Sequence, residues 1–194
     1  LHRPHTQPLT PNFQFSILNS QFSIILYFRG NISAAENVVK KTKGMENGYK
    51  YNSVQIARHI VAAGNARSIP MNMTKTQKLL YITYGMYLAK NDERMFSEHP
   101  QCWPYGPVFP TTRNRLLKTD MPSLRLEDES AGIGDGVSRL VEDVFDKFGQ
   151  NTAKWLSEWS HQPNSPWDLT TRKTGFIWGM TIDDNDIKRY FSEL

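Results

Sequence analysis

The stretch Cys102-Trp103-Pro104-Tyr105-Gly106-Pro107-Val108-Phe109-Pro110 packs three prolines, one glycine and three aromatic rings into nine positions. It can be neither a plain helix nor a central strand. Each proline fixes its own φ, lacks an amide donor and pushes the residue before it towards extended backbone. Gly106 is the one position free to take a positive φ, so Tyr105-Gly106-Pro107 reads as a tight turn. Large rings on a stiff corner bury well only where other elements close around them. The expectation is a structural corner with Trp103 and Tyr105 as plugs, around which the flanking helices pack.

Those helices are marked by periodicity. Val54, Ala57, Ile60 and Val61 form an amphipathic stripe, with Asn52 or Ser53 as N-cap and Gly64 as stop. Thr74 and Gln77 have the spacing of a capping box that opens Lys78–Ala89, a segment with apolar residues on nearly every side. That segment predicts a central, buried helix, with Gly85 admitting a close neighbour. Its aromatic stripe is core packing in preference to a cofactor box. Met95-Phe96 is a candidate short strand, and Pro110 suits the first turn of a helix through Arg113, Leu116 and Leu117. Met121–Gly136 reads as a long acidic loop. Val137, Leu140, Val141, Val144 and Phe148 predict a helix stopping at Gly149, and Asn151 or Thr152 caps the next, with Trp155, Leu156 and Trp159 on one stripe. Pro163 and Pro166 impose an extended path to Trp167, and Gly175–Met180 is a second candidate strand. A capping box at Thr181–Asp184 opens a final helix through Ile187, Tyr190 and Phe191. The predicted fold is mainly α: a single compact domain of about six helices with at most a small β-hairpin.

At 194 residues, 39% of them hydrophobic and 12% aromatic, the chain suits one domain with a sizeable core. The lone Cys102 rules out an internal disulfide framework and a multi-cysteine zinc site. No run approaches the roughly 18 apolar residues that a membrane helix needs, so the expected compartment is the cytoplasm, with no membrane partner. The net charge of +4 resides in residues 1–44; from residue 45 onward acidic and basic side chains are equal in number. The excess therefore belongs to the leader and makes no case for nucleic acid in the folded part.

Residues 1–44 differ from the rest. Gln-Phe-Ser-Ile occurs at Gln14–Ile17 and again at Gln21–Ile24, without a sustained heptad, and a signal-peptide pattern is absent. The first methionine is Met45, and the domain is read as 45–194, with 1–44 as translated upstream sequence in preference to a genuine extension. Phe22–Phe28 has the composition of a β segment.

Motifs for chemistry are few. There is no phosphate loop, no dinucleotide fingerprint and no paired-ligand spacing for a metal, so no cofactor or metal is expected. The enzyme reading is a Cys102 nucleophile with His161 as base and Asp168 orienting it, but nothing beside Cys102 promises a lowered thiol pKa. For His161 the plainer role is a ring nitrogen bonded to a backbone carbonyl at a helix end. A nucleic-acid reading takes Arg113, Arg115, Lys118 and Arg125 as phosphate contacts, against the plainer reading of a solvated face.

Four stretches in order resemble the Panacea domain, the SocA-like antitoxin family, also described as phage-associated proteins. They are Tyr51–Ala57; Gln77-Lys78-Leu79-Leu80-Tyr81; Trp103-Pro104-Tyr105-Gly106-Pro107-Val108; and Leu156–His161 with Pro166-Trp167. The resemblance spans about residues 51–191 and is specific in combination. It implies a mainly helical, non-enzymatic antitoxin that neutralises a cognate protein toxin, encoded nearby, by direct binding, with presentation to a protease as an extension. The family commonly has a small residue where Cys102 stands, and the tyrosine it carries soon after the Gly-Pro-Val turn is missing from Thr111–Asn114. The candidate partner surfaces are Arg113 with Arg115, and the acidic Glu127-Asp128-Glu129. A DNA-binding autoregulator is the alternative reading and a Cys–His hydrolase the outsider.

Overall fold

The computed structural model describes residues 48–194; the leader, Met45 and the Phe22–Phe28 segment lie outside the described residues. Eight α-helices and one two-stranded hairpin make up the described chain. In order they are α1 (Ser53–Ala66), α2 (Met73–Asn91), β1 (Gln101–Trp103), β2 (Gly106–Val108), α3 (Pro110–Leu116), α4 (Leu126–Glu129), α5 (Asp135–Phe148), α6 (Ala153–Ser160), α7 (Pro166–Thr174) and α8 (Asp184–Ser192), with a 3-10 turn at Met121–Ser123 between α3 and α4.

Helix α2 is the axis, and α1, α3, α5, α6, α8 and β2 all pack against it. Its apolar residues point in every direction, so it satisfies itself only by being surrounded; Leu79, Leu80, Tyr81, Ile82 and Tyr84 are all buried. Gly85 does admit a neighbour, because a Cβ there would overlap the ring of Phe191 on α8. Phe191 in turn meets Tyr81 edge-on at 5.5 Å, and a second cluster joins Tyr84, Phe96 and Phe109 at 5.2–5.6 Å.

Several expected boundaries moved, each for a physical reason. Gly64 does not stop α1; it lies inside the helix, where a Cβ would come within 2.6 Å of Met71 and 3.3 Å of Phe145. The cap of α2 is Asn72, whose side chain accepts from Lys75 N at 2.9 Å. Gln77 cannot complete a capping box with Thr74, because its Oε1 is taken by the amide of Phe109. Pro166 begins α7 where an extended path was expected: proline at the first helical position sacrifices no hydrogen bond, and Ser165 Oγ caps Asp168 N at 3.2 Å.

Met95 and Phe96 are core residues outside any strand, and Gly175–Met180 is not a strand either. Gly175 and Gly179 both take positive φ, 74° and 83°, which turns the backbone out of an extended run. The hairpin is the corner itself, antiparallel, with Gln101 opposite Val108 and Trp103 opposite Gly106. On the free edge of β1, Cys102 N donates to Met180 O and Gly179 N to Cys102 O.

The Met121–Gly136 segment is built onto α1. Asn65 Nδ2 donates to the carbonyls of Met121 and Leu124, and Arg58 donates from Nε and Nη2 to the two carboxylate oxygens of Glu129. That ordering replaces the loose acidic loop expected from composition.

Candidate functional site

The residues singled out by motif converge on the hairpin. Proline and glycine set its shape: Gly106 has φ +96°, and a Cβ there would strike Ser160 Oγ and come within 2.9 Å of Lys78 Cε. Pro104 and Tyr105 form the tip, so the turn falls one residue earlier than the Tyr105-Gly106-Pro107 reading. Tyr105 is no plug: it is 74% exposed, while Trp103 is half-buried and the true plugs are Cys102 and Phe109. Strand alternation puts Trp103 on the opposite face of β1 from the sealed Cys102, and Tyr105 is exposed because it sits at the tip of the turn.

Two consecutive polar residues of α2 hold the second strand. Gln77 Oε1 accepts from Phe109 N at 2.8 Å, and Lys78 Nζ donates to Pro107 O at 2.8 Å. Both side chains are buried, and desolvation of the Lys78 ammonium pulls its pKa down to about 7. Leu80 and Tyr81, from the same motif, are core residues. From the other side Ser157 Oγ donates to Tyr105 O at 3.1 Å, Ser160 Oγ to Ser157 O, and Trp167 Nε1 to Trp103 O at 3.0 Å. Pro166 is buried at the start of α7, and Val108 is buried in β2.

His161 closes α6. Its Nδ1 lies 2.6 Å from Ser157 O, the helix-end carbonyl bond expected of it, and its ring stands edge-on to Trp167 at 4.1 Å. Burial lowers its pKa, and the nearby Lys78 charge adds to that.

The Cys–His–Asp arrangement is not assembled. Cys102 is sealed from solvent, and burial pushes its thiol up to about 11, the wrong direction for a nucleophile. Asp168 accepts from Asn164 N at 2.7 Å and pairs with Arg172 at 2.7 Å, while the His161 nitrogen it would orient is taken by Ser157 O. Among the described residues no group of three or more His, Cys, Asp or Glu is placed to hold a metal ion, and no helix is long and apolar enough to cross a membrane.

The expected partner residues fall in two places. Arg113 lies over the Trp103 ring, 5.4 Å from its centroid, and Arg115 is exposed on the same helix. Glu127 and Asp128 are exposed on α4, whereas Glu129 is committed to Arg58. Beside α4 an open cleft of about 580 Å³ runs between α1 and the 121–127 segment.

Sequence reasoning gave no role of their own to Ser157 and Ser160 of α6, although both lie in the Leu156–His161 stretch. It also missed an aromatic ridge beside the hairpin: Trp178 rests on Trp103 at 5.0 Å and Phe176 faces Trp167 at 5.9 Å. The available signal was the glycine at each end of Phe176-Ile177-Trp178.

Residues 76–168 match the family model described as Antitoxin SocA-like, Panacea domain. The chain is also similar to a curated protein, Antitoxin SocA of Caulobacter vibrioides (strain NA1000 / CB15N), with 26% identity over 150 residues, covering 70% of this chain and 80% of the relative. No solved structure matches.

Proposed function

We propose, from the premise that residues 76–168 form a Panacea domain of the SocA-like family, that this protein is an antitoxin that neutralises a partner toxin by direct protein–protein contact. The observation that carries the reading is the similarity to a protein named an antitoxin, which extends over most of both chains. The geometry is consistent with a binding role rather than a catalytic one. The polar groups gathered at the hairpin, Gln77, Lys78 and Ser157, bond to the backbone of the fold itself. Polar side chains spent in this way set the shape of a surface and are not themselves open to a substrate.

Co-expression with the adjacent reading frame tests the reading. The expected result is rescue of growth when that frame is toxic alone, with both products retained on one affinity column. Absence of both rescue and retention overturns the proposal, and tight binding to DNA upstream of the gene in their place supports an autoregulator. Presentation of the toxin to a protease is a separable step of the same reading. It predicts a shorter toxin half-life when this chain is present.

A further inference from the structure

We infer that the partner docks on the aromatic ridge formed by Trp178, Phe176, Ile177, Trp103, Arg113 and Leu117, and that it does so with an acidic protein segment carrying apolar side chains. The inference deepens the antitoxin reading and rests on it. Phe176, Ile177 and Trp178 are 47%, 56% and 61% exposed, and they are consecutive. The positive-φ glycines at 175 and 179 turn the chain at each end, so three large apolar side chains are held outward on a short bracket. Trp178 leans on Trp103, Arg113 lies over the same Trp103 ring, and Leu117, 59% exposed, sits one helical turn beyond Arg113. Scattered exposed hydrophobics need no explanation, but a contiguous patch does. Tryptophan and arginine are also the residue types that dominate binding energy at protein interfaces.

Charge narrows the partner. Residues 101–118 and 171–182, which carry the ridge, contain Arg113, Arg115, Lys118, Arg172 and Lys173 and no aspartate or glutamate. Arg172 and Lys173 are neutralised by Asp168 at 2.7 Å and Asp186 at 3.0 Å. Arg113, Arg115 and Lys118 have no carboxylate partner among the described residues. A surface of one sign is self-repelling in a two-fold dimer, where the same patch meets itself, so a second copy is a poor occupant. Ile177 and Leu117 offer nothing to a phosphate backbone, and acidic and basic residues are nearly balanced over 48–194, which disfavours nucleic acid. An acidic segment with apolar anchors satisfies both halves of the ridge.

The test uses the full chain and, as probe, the product of the adjacent reading frame. Trp178→Asp and Arg113→Glu are each expected to weaken retention of that product by at least about thirtyfold, the scale of an interface hot spot, and to abolish growth rescue. Both should melt close to the wild type, since each loses only a surface contact with the Trp103 ring and neither belongs to the buried core. Trp155→Asp, an exposed tryptophan outside the ridge, is the control expected to keep both. Wild-type rescue and retention with both ridge variants unimpaired overturns the docking surface and leaves the antitoxin reading standing. Failure of the wild-type chain itself overturns the antitoxin reading and the surface with it. Loss of binding to upstream DNA in the ridge variants, with protein retention unchanged, overturns the inference in favour of nucleic acid.

Discussion

Lys78 and Pro107 are 29 residues apart in sequence, yet the Lys78 ammonium donates to the Pro107 carbonyl at 2.8 Å in the sealed interior. A lysine amine so placed ties the central helix to the second strand of the hairpin at the cost of an ion's hydration. Its pKa falls from the usual 10.5 to about 7.

That shift sets a pH dependence. Between about pH 7 and 10.5 the unfolded chain keeps the Lys78 proton and the folded chain has released it, so the unfolded state binds more protons and stability rises with pH. Cys102 acts oppositely: its thiol is raised from 9.0 to about 11, so above pH 9 it lowers stability as pH rises. The clean window is therefore pH 7–9. Urea midpoints of the wild type should climb across it, and Lys78→Met should flatten the climb. An unchanged slope in the variant removes Lys78 as its source.

The corner makes a sharper mutational contrast than its composition suggests. Phe109 is fully buried against Tyr84 and Phe96, so Phe109→Ala should cost about 3–5 kcal/mol. Tyr105 stands in solvent, so Tyr105→Ala should stay within about 0.5 kcal/mol. Denaturant unfolding of the two variants checks this, and comparable losses would put the tyrosine back in the core.

The central helix was legible because α2 is apolar on all faces, and α5 because Val137, Leu140, Val141 and Val144 keep a strict period. The hairpin was legible as a corner, but which of its rings face inward depends on where the turn falls and on the bonds from Gln77 and Lys78 of a distant helix that hold it against the core. Helix α7 was hidden because Pro166 breaks a helix at most positions and begins one at the first. The motif stretches pointed to the hairpin clamp, and Ser157 and Ser160 lie within one of them, but nothing in that stretch marks their hydroxyls as backbone partners. The ridge was misread because a run of β-forming residues between glycines resembles a strand until the two glycines turn the backbone.

Glu129 should act as the latch of the 121–136 segment. Its carboxylate is mostly shielded and accepts from both Nε and Nη2 of Arg58, so Glu129→Gln should loosen the segment locally. Amide exchange at residues 124–133 should speed up while α2 stays protected. A global loss of protection would instead make the latch part of the cooperative core.

Gly85 and Phe191 form a close contact between α2 and α8. Any Cβ at residue 85 overlaps the Phe191 ring, and that ring is wedged between Tyr81 at 5.5 Å and Trp159 at 6.2 Å, so it has nowhere to swing. Gly85→Ala gains helix propensity worth about 1 kcal/mol and should still lose stability, because overpacking a closed site costs about 1–3 kcal/mol. Phe191→Ala alone should cost about 3–5 kcal/mol through the cavity it leaves. Combined, the two changes relieve the overlap: the new methyl group enters space the ring has vacated. The double variant should therefore be more stable than Phe191→Ala alone, with a coupling well beyond the few tenths of a kcal/mol expected of independent sites. Additive losses in a denaturant double-mutant cycle would show that α8 does not rest on α2 at this glycine.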